Sequence, residues 1–183
     1  MADIAHPANA EHIAIGARTH DEFRSVFTAA YAPVVRTVWL VVHDRAAAED
    51  IAQDAFVELY RHWKKVRRYE RPDLWVRRVA LRKAQREAAR TVRRTELERA
   101  RAGAVRDDVA GEPVLPDPRV LEAIRDLTPR QRAIVVLFYL EDRPMTEVAD
   151  LVGCSVSTGF VHLHHARHRL AQALGEEVDG HVR

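Results

Sequence analysis

The chain has 183 residues, of which 47% are hydrophobic and 31% are charged, a composition that is normal for a folded globular protein and excludes disorder throughout. The longest apolar run, residues 133–140, is far shorter than the roughly 20 residues of a membrane-spanning helix. Residues 1–12 lack the basic and apolar regions of a secretory signal. We therefore expect a cytoplasmic protein without a membrane segment. The single cysteine, Cys154, cannot by itself form an internal disulfide or a thiolate metal site.

The first part of the chain predicts three helices that share one core. Residues 1–19 show no sustained apolar periodicity and are expected to form a flexible tail. From Asp21 apolar residues recur every three or four positions, which predicts a helix that stops near His43. The same spacing resumes after Asp44, a plausible N-cap for the second helix. A third helix is expected to open near Pro72, a residue tolerated in a first turn.

The second part of the chain is separated from the first by a segment rich in Gly, Pro and charges, residues 95–118, which predicts a flexible linker. A short helix follows, and Thr128 and Gln131 then form a capping box that starts another. Residues 134–140 alone could pass for a buried strand, and the cap favours a helix. A last helix is expected after a tight turn at Gly153. The fold class is therefore all-α, with two small helical domains.

Charge is divided unevenly along the chain. Up to residue 58 there are nine acidic residues and four arginines, whereas residues 64–94 hold thirteen Lys or Arg and three Asp or Glu, a local charge of +10. Aromatic residues are interleaved with this basic segment. Such a pattern is typical of a protein that binds the phosphates of nucleic acid, although a solvated surface helix can also be this basic.

Two segments carry more specific patterns. Residues 146–155 resemble a helix-turn-helix, with the small Ala149 where two helices approach and Gly153 at the turn, although an ordinary helical hairpin would share this pattern. On the second helix one polar strip lies opposite the apolar face, and it comprises Asp50, Gln53, Asp54 and Val57. A strip of this kind either contacts a partner or is simply solvated, as exposed charges on helices usually are.

Taken together, these motifs resemble the extracytoplasmic-function sigma factors of bacterial RNA polymerase, members of the sigma-70 family, over most of the chain. The resemblance lies in the order and spacing of four segments, which are Ala48-Glu49-Asp50-Ile51-Ala52-Gln53-Asp54-Ala55-Phe56, Trp75-Val76-Arg77-Arg78-Val79-Ala80, Leu127-Thr128-Pro129-Arg130-Gln131-Arg132, and Glu147-Val148-Ala149 with the turn and Ala166-Arg167. It implies two helical DNA-binding domains. We expect a region 2 domain at 20–94, the linker at 95–118, a region 4 domain at 119–176 and a tail at 177–183.

The resemblance also implies a role for each surface. In this family the acidic strip of the second helix docks on the core polymerase, so Asp50, Gln53, Asp54 and Val57 become the core-binding candidates. The basic third helix and the loop before it would read and open the minus-10 element, and an unstacked base needs aromatic and basic walls. Tyr69 is the candidate wall residue. The minus-10 candidates are Arg68, Tyr69, Arg77, Arg78, Arg82, Lys83, Arg86 and Arg90.

The helix-turn-helix would read the minus-35 element with the last helix in the major groove. The candidates there are Ser155, Ser157, Thr158, Phe160, Val161, His162, His165 and Arg167. This segment departs from the family pattern, because Gly159, Phe160, Val161 and His162 stand where valine, lysine, serine and arginine are usual. Gly159 costs about 1 kcal/mol of helix stability relative to alanine. Phe160 cannot donate a hydrogen bond but can touch a thymine methyl. We therefore expect weak or unusual minus-35 recognition, or a surface adapted to a protein partner.

The resemblance implies core RNA polymerase, promoter DNA and an anti-sigma protein as partners, with no small-molecule substrate, cofactor or metal. Four histidines on the last helix have pairs at chelating spacing, but surface histidines without a further ligand are the commoner explanation. An enzyme is not expected, because the chain has no glycine-rich phosphate loop and no serine elbow. Two alternatives remain, namely a helix-turn-helix regulator and a sigma-like interaction protein, both acting without core polymerase.

Overall fold

The computed structural model describes residues 7–99 and 118–175, with side chains from 19–94 and 119–175. The described residues contain no strand, and their regular structure is helical throughout, as the all-α prediction requires. Along the chain the segments are α1 (Pro7–Val42), α2 (Arg45–Arg61), α3 (Trp63–Val66), α4 (Pro72–Arg99), α5 (Pro118–Arg125), α6 (Pro129–Val135), a π-helical segment (Val136–Leu140), α7 (Met145–Val152) and α8 (Val156–Leu174).

The first helix is longer than the sequence pattern indicates. It begins at Pro7, inside the predicted tail 1–19, of which residues 1–6 lie outside the described residues. It ends at Val42 as expected, and His43 follows with a φ of 59°, in the left-handed region. Pro33 lies inside the helix, and the carbonyl of Pro33 accepts a hydrogen bond from the Thr37 hydroxyl at 2.8 Å. The expected start near residue 20 therefore marks where the apolar face begins, and the helix itself starts earlier.

Helices α1, α2 and α4 pack together around the first part of the core. Asp44 caps α2 as predicted, because its side chain accepts a hydrogen bond from the Ala47 backbone N–H at 2.9 Å. The short helix α3 was not expected. It buries Trp63, whose indole Nε1 donates to the Thr19 carbonyl at 2.9 Å and so ties α3 back to α1.

The C-terminal helices confirm the capping predictions. Thr128 and Gln131 form the reciprocal capping box that starts α6. The ambiguous segment after it is helical and changes at Val136 to a π-helical turn. Gly153 adopts a φ of 77° between α7 and α8, a conformation that side chains resist and glycine accepts.

The two halves of the chain share one continuous apolar core. Buried residues of α1, α2 and α4 form a single cluster with buried residues of α5 to α8. Direct polar contact accompanies this packing, since the Arg132 guanidinium of α6 donates to the Val41 carbonyl at the end of α1. The connecting residues 100–117, which fall in the predicted linker, lie outside the described residues. In this structure the two predicted domains are packed against each other.

One stretch of α1, Thr19–Val42, is long and apolar enough to cross a membrane by length and composition. Within the fold this stretch supplies Val34, Val38 and Leu40 to the core that it shares with α2 and α4. Its apolar character therefore has a structural explanation as the central core helix of the bundle.

Candidate nucleic-acid and protein interfaces

The polar strip predicted on α2 is present and faces outward. Asp50, Gln53 and Asp54 are exposed, and so is 48% of Val57. The opposite face of α2, including Phe56 and Leu59, is buried in the core. Because the burial of one face fixes the rotation of the helix, the strip is held as a rigid surface of carboxylates and one apolar side chain.

Lys83 was expected on the DNA face, and the structure places it elsewhere. Its Nζ lies 3.2 Å from a carboxylate oxygen of Asp54 and 3.8 Å from one of Glu58. The lysine therefore extends from α4 toward the acidic strip of α2. Its charge is paired with that strip and is not available to the arginine face of α4.

The remaining arginines of α4 form an exposed cationic row. Arg82, Arg86 and Arg90 are exposed and recur every four residues, so they lie near one another along one side of the helix. Arg90 also contacts Glu87, with 3.5 Å between Nη1 and Oε2. In the loop before α4, Arg68 is exposed and Tyr69 is 43% exposed. These five residues are placed where phosphates and an unstacked base could reach them.

Arg77 departs most clearly from its predicted role. The residue is 7% exposed, and its Nη1 donates to the Thr37 hydroxyl at 2.8 Å and to both Glu141 carboxylate oxygens at 2.9 Å. Burial lowers the pKa of Arg77, and the nearby Glu141 carboxylate opposes that effect. In this conformation Arg77 is an internal group and not a phosphate contact. The next residue, Arg78, is half-buried and pairs with Asp150 of α7.

Helices α7 and α8 form the predicted helix-turn-helix. The Ser155 side chain caps α8 by accepting a hydrogen bond from the Thr158 backbone N–H at 3.1 Å. The same hydroxyl lies 2.9 Å from the Ser157 hydroxyl and 2.8 Å from the Thr158 hydroxyl. Ser155 thus stabilises the helix start and is paired with the hydroxyls of the exposed Ser157 and the half-buried Thr158.

Gly159 has a packing function that its predicted helix cost did not reveal. It is buried, and a Cβ at this position would meet the Met145 Sδ at 2.6 Å. All the atoms near that position belong to the flexible Met145 side chain, which can shift, so the contact shows that Met145 at the start of α7 fills the space beside Gly159. Gly159 therefore lies at the contact between α7 and α8, where Met145 packs against it.

The outward side of α8 is unusually apolar for a DNA-binding helix. Phe160 is 52% exposed and Val161 is 53% exposed, and they are joined by the exposed His165 and Arg167. His162 is half-buried, and burial, with smaller effects of Arg130 and His165, lowers its pKa. This helix therefore offers van der Waals contact and few charges. Among the described residues, no group of three or more His, Cys, Asp or Glu is placed to hold a metal ion.

Comparison with known proteins gives the family of this chain. The family model described as Sigma-70 region 2 matches residues 26–94, and the one described as Sigma-70, region 4 matches residues 118–170. An RNA polymerase sigma-E factor of Streptomyces antibioticus is 30% identical over 84% of this chain and 84% of its own length. The chain belongs to the sigma-70 family, in its extracytoplasmic-function group. It is a sigma factor that directs RNA polymerase in transcription initiation.

Other relatives agree with this assignment. A sigma-E factor of Streptomyces coelicolor is 27% identical over 77% of this chain and 79% of its own length. Two solved structures share the fold. They are RpoE bound to the anti-sigma factor NepR from Bartonella quintana (TM-score 0.64, 19% identity, 86% of this chain and 98% of that one) and CnrH bound to the cytosolic domain of CnrY (TM-score 0.59, 20% identity, 84% and 87%).

The region 2 match covers α1 from Val26 onward and all of α2 and α3, and it ends within α4, whereas the region 4 match begins with α5. The acidic strip and the arginine row of this sigma factor therefore lie within region 2, and the helix-turn-helix lies within region 4. Sequence reasoning missed the residues that join these regions, above all Glu141 and Asp150. Only the position of Arg77 gave a signal, because it precedes the core residues Ala80 and Leu81 by three and four positions and so shares their face.

Proposed function

We propose that this sigma factor binds core RNA polymerase through the acidic strip of α2, formed by Asp50, Gln53, Asp54 and Val57. The observation that carries this assignment is that the strip is exposed while the opposite face of the same helix is fully buried. The exposed Val57 adds apolar contact area within a charged surface, as in the centre of many protein interfaces. The carboxylates would favour encounter with a basic partner and set the register of docking.

We assign minus-10 recognition to the arginine row and to the loop before it. Arg82, Arg86 and Arg90 would neutralise phosphates, and Tyr69 with Arg68 would stack against an unpaired base. Region 4 would then hold the minus-35 element with α8 in the major groove. Bond-making chemistry stays with the polymerase, so this sigma factor is not itself an enzyme. It would act in the cytoplasm and would be held inactive by an anti-sigma protein, as the sigma factor RpoE of Bartonella quintana is captured with one.

The core-binding assignment predicts that reversing two charges abolishes competition. Labelled housekeeping sigma factor is bound to core polymerase, and the purified full chain is added in increasing amounts. We expect displacement by the wild type, and a loss of roughly tenfold or more in competing strength for Asp50→Lys/Asp54→Lys, because two attractive contacts become repulsive. Glu122→Lys/Asp126→Lys makes the same charge change on exposed residues of region 4 and should compete like the wild type.

Either of two results would contradict this assignment. Equal competition by the two double variants would show that the strip is merely solvated. Failure of the folded, monomeric wild type to displace at any concentration would favour a helix-turn-helix regulator or a partner protein that acts without core polymerase.

The apolar surface of α8 predicts that promoter reading depends on thymine methyl groups. Duplexes bound by the full chain are selected from a random library, and each thymine of the selected site is then replaced by uracil. We expect the loss of one contacted methyl to weaken binding about fourfold, from about 0.8 kcal/mol of apolar burial. Phe160→Ala should bind the thymine and uracil duplexes equally well. A wild type that does not distinguish them at any position would refute this mode of reading.

A further inference from the structure

Two neighbouring arginines of α4 are occupied by carboxylates of region 4. Arg77 Nη1 lies 2.9 Å from both carboxylate oxygens of Glu141, and Arg78 pairs with Asp150. A carboxylate offers a guanidinium the same negative charge and paired oxygen acceptors as a phosphate. The two acidic side chains therefore hold these guanidinium groups in the way that DNA phosphates would.

The Glu141 carboxylate is itself held in place by several partners. Arg143 Nε donates to it at 2.7 Å, and the Thr37 hydroxyl of α1 also contacts it. Arg143 in turn contacts Glu147 at the start of α7. The side chain of Glu141 is 19% exposed, and that of Arg77 is 8% exposed. Because charge pairs so shielded from water are screened little by salt, this network joins the regions more firmly than an exposed surface pair does.

Apolar packing supports the same contact. The buried residues of both regions belong to one cluster, which includes Val38 of α1, Leu81 of α4 and Leu137 of the π-helical segment. Separation of the regions would expose part of this surface to water at about 25 cal/mol for each Å². The packed arrangement is therefore a defined closed state.

The closed state does not match the geometry of a promoter. Elements centred near minus 10 and minus 35 are about 25 base pairs apart, or about 85 Å along a straight duplex. A compact chain of this length has a radius of gyration of about 16 Å. Both regions cannot contact their elements while Arg77 and Glu141 remain 2.9 Å apart.

We propose that region 4 autoinhibits this sigma factor, with Glu141 and Asp150 occupying Arg77 and Arg78 in place of DNA phosphates. Separation of the regions exposes both guanidinium groups, and binding to core polymerase supplies the free energy for it. Opening by core polymerase rests on the proposed function, whereas the closed state and its effect on DNA binding do not. The inhibition is reciprocal, since DNA that captures the two arginines favours the open state.

The test uses the full chain with Glu141→Gln/Asp150→Asn, which keeps the shapes of both side chains and removes their charges. The matched control is Glu122→Gln/Asp142→Asn, which removes two charges from exposed residues of region 4. Two quantities are measured, namely the radius of gyration by small-angle X-ray scattering and the affinity for a labelled 40-base-pair random duplex from 50 to 200 mM NaCl. Neither measurement involves core polymerase, so failure of the competition assay leaves this test intact.

We expect the test variant to have a larger radius of gyration than the wild type and to bind the duplex roughly fivefold or more tightly, because the binding-competent fraction rises. Two additional phosphate contacts should also steepen the plot of log affinity against log salt by about 1.8. The control should keep the radius and the salt slope of the wild type.

Three results would overturn the proposal. These are a wild type that is already extended in solution, a test variant that matches the wild type in radius and affinity, and a control that gains as much affinity as the test variant. If the test variant loses helical circular dichroism, Asp150→Arg is used in its place. This change puts a positive charge next to Arg78 at the exposed edge of the contact. Asp150→Arg should then be expanded and bind DNA more tightly than Glu122→Arg, and equal behaviour of the two would refute the proposal.

Discussion

Replacing Arg132 by methionine should lower the free energy of unfolding by about 3 kcal/mol or more, because each buried carbonyl left without its donor costs about 1–3 kcal/mol. Arg132 is 5% exposed, and its guanidinium donates to the carbonyls of Ile124, Leu127, Arg125 and Val41. Methionine would fill most of the same space but leave these oxygens without their donor. Burial lowers the pKa of Arg132 to about 10, which still leaves it charged at neutral pH.

Urea unfolding of the full chain, followed by circular dichroism, measures this effect. Arg130→Met is the matched control, since Arg130 is exposed on the same helix and its replacement should change the free energy of unfolding by less than about 0.5 kcal/mol. Equal stability of the two variants would mean that the carbonyls find other partners. Because one of the four carbonyls belongs to α1, Arg132→Met should also weaken the contact between the two regions.

Acidification should destabilise the protein through His43, by about 2 kcal/mol between pH 7 and pH 5. Burial, with the nearby charges of Arg132 and Arg125, lowers the pKa of His43 to about 3. The unfolded chain takes up the proton near pH 6.5, whereas the folded chain does not. The contribution of the neutral His43 ring to the free energy of unfolding is therefore complete above about pH 6.5. It is lost as the pH falls toward 3. Among the described residues, the buried Nε2 of this ring has no hydrogen-bond partner.

His43→Asn tests this origin of the pH dependence. Asparagine tolerates the left-handed backbone that His43 adopts at a φ of 59°, and it does not titrate. We expect the free energy of unfolding of the variant to fall by about 2 kcal/mol less than that of the wild type over the same pH interval. His168→Asn, on the exposed side of α8, should leave the dependence unchanged. Identical pH curves for wild type and His43→Asn would assign the acid sensitivity to carboxylates.

Local chemistry in the sequence determined the helices and their ends. Asp44 and Thr128 cap helices where predicted, and Gly153 adopts the left-handed turn, because each of these features depends on residues within one turn of the helix. The spacing of apolar residues also fixed the outward face of α2, since burying Phe56 and Leu59 turns Asp50 and Asp54 to solvent. The early start of α1 was missed because residues before Asp21 carry no apolar periodicity.

Contacts between distant parts of the chain were decided only by the tertiary structure. A row of arginines on α4 looks uniform in sequence, yet Arg77 is buried against Glu141, Lys83 faces the acidic strip of α2, and Arg82 and Arg86 remain exposed. Which partner each cation meets depends on how α4 lies against α2 and α7, and no local rule gives that arrangement. The same holds for Gly159, since only the tertiary structure shows that the Met145 side chain fills the space beside it.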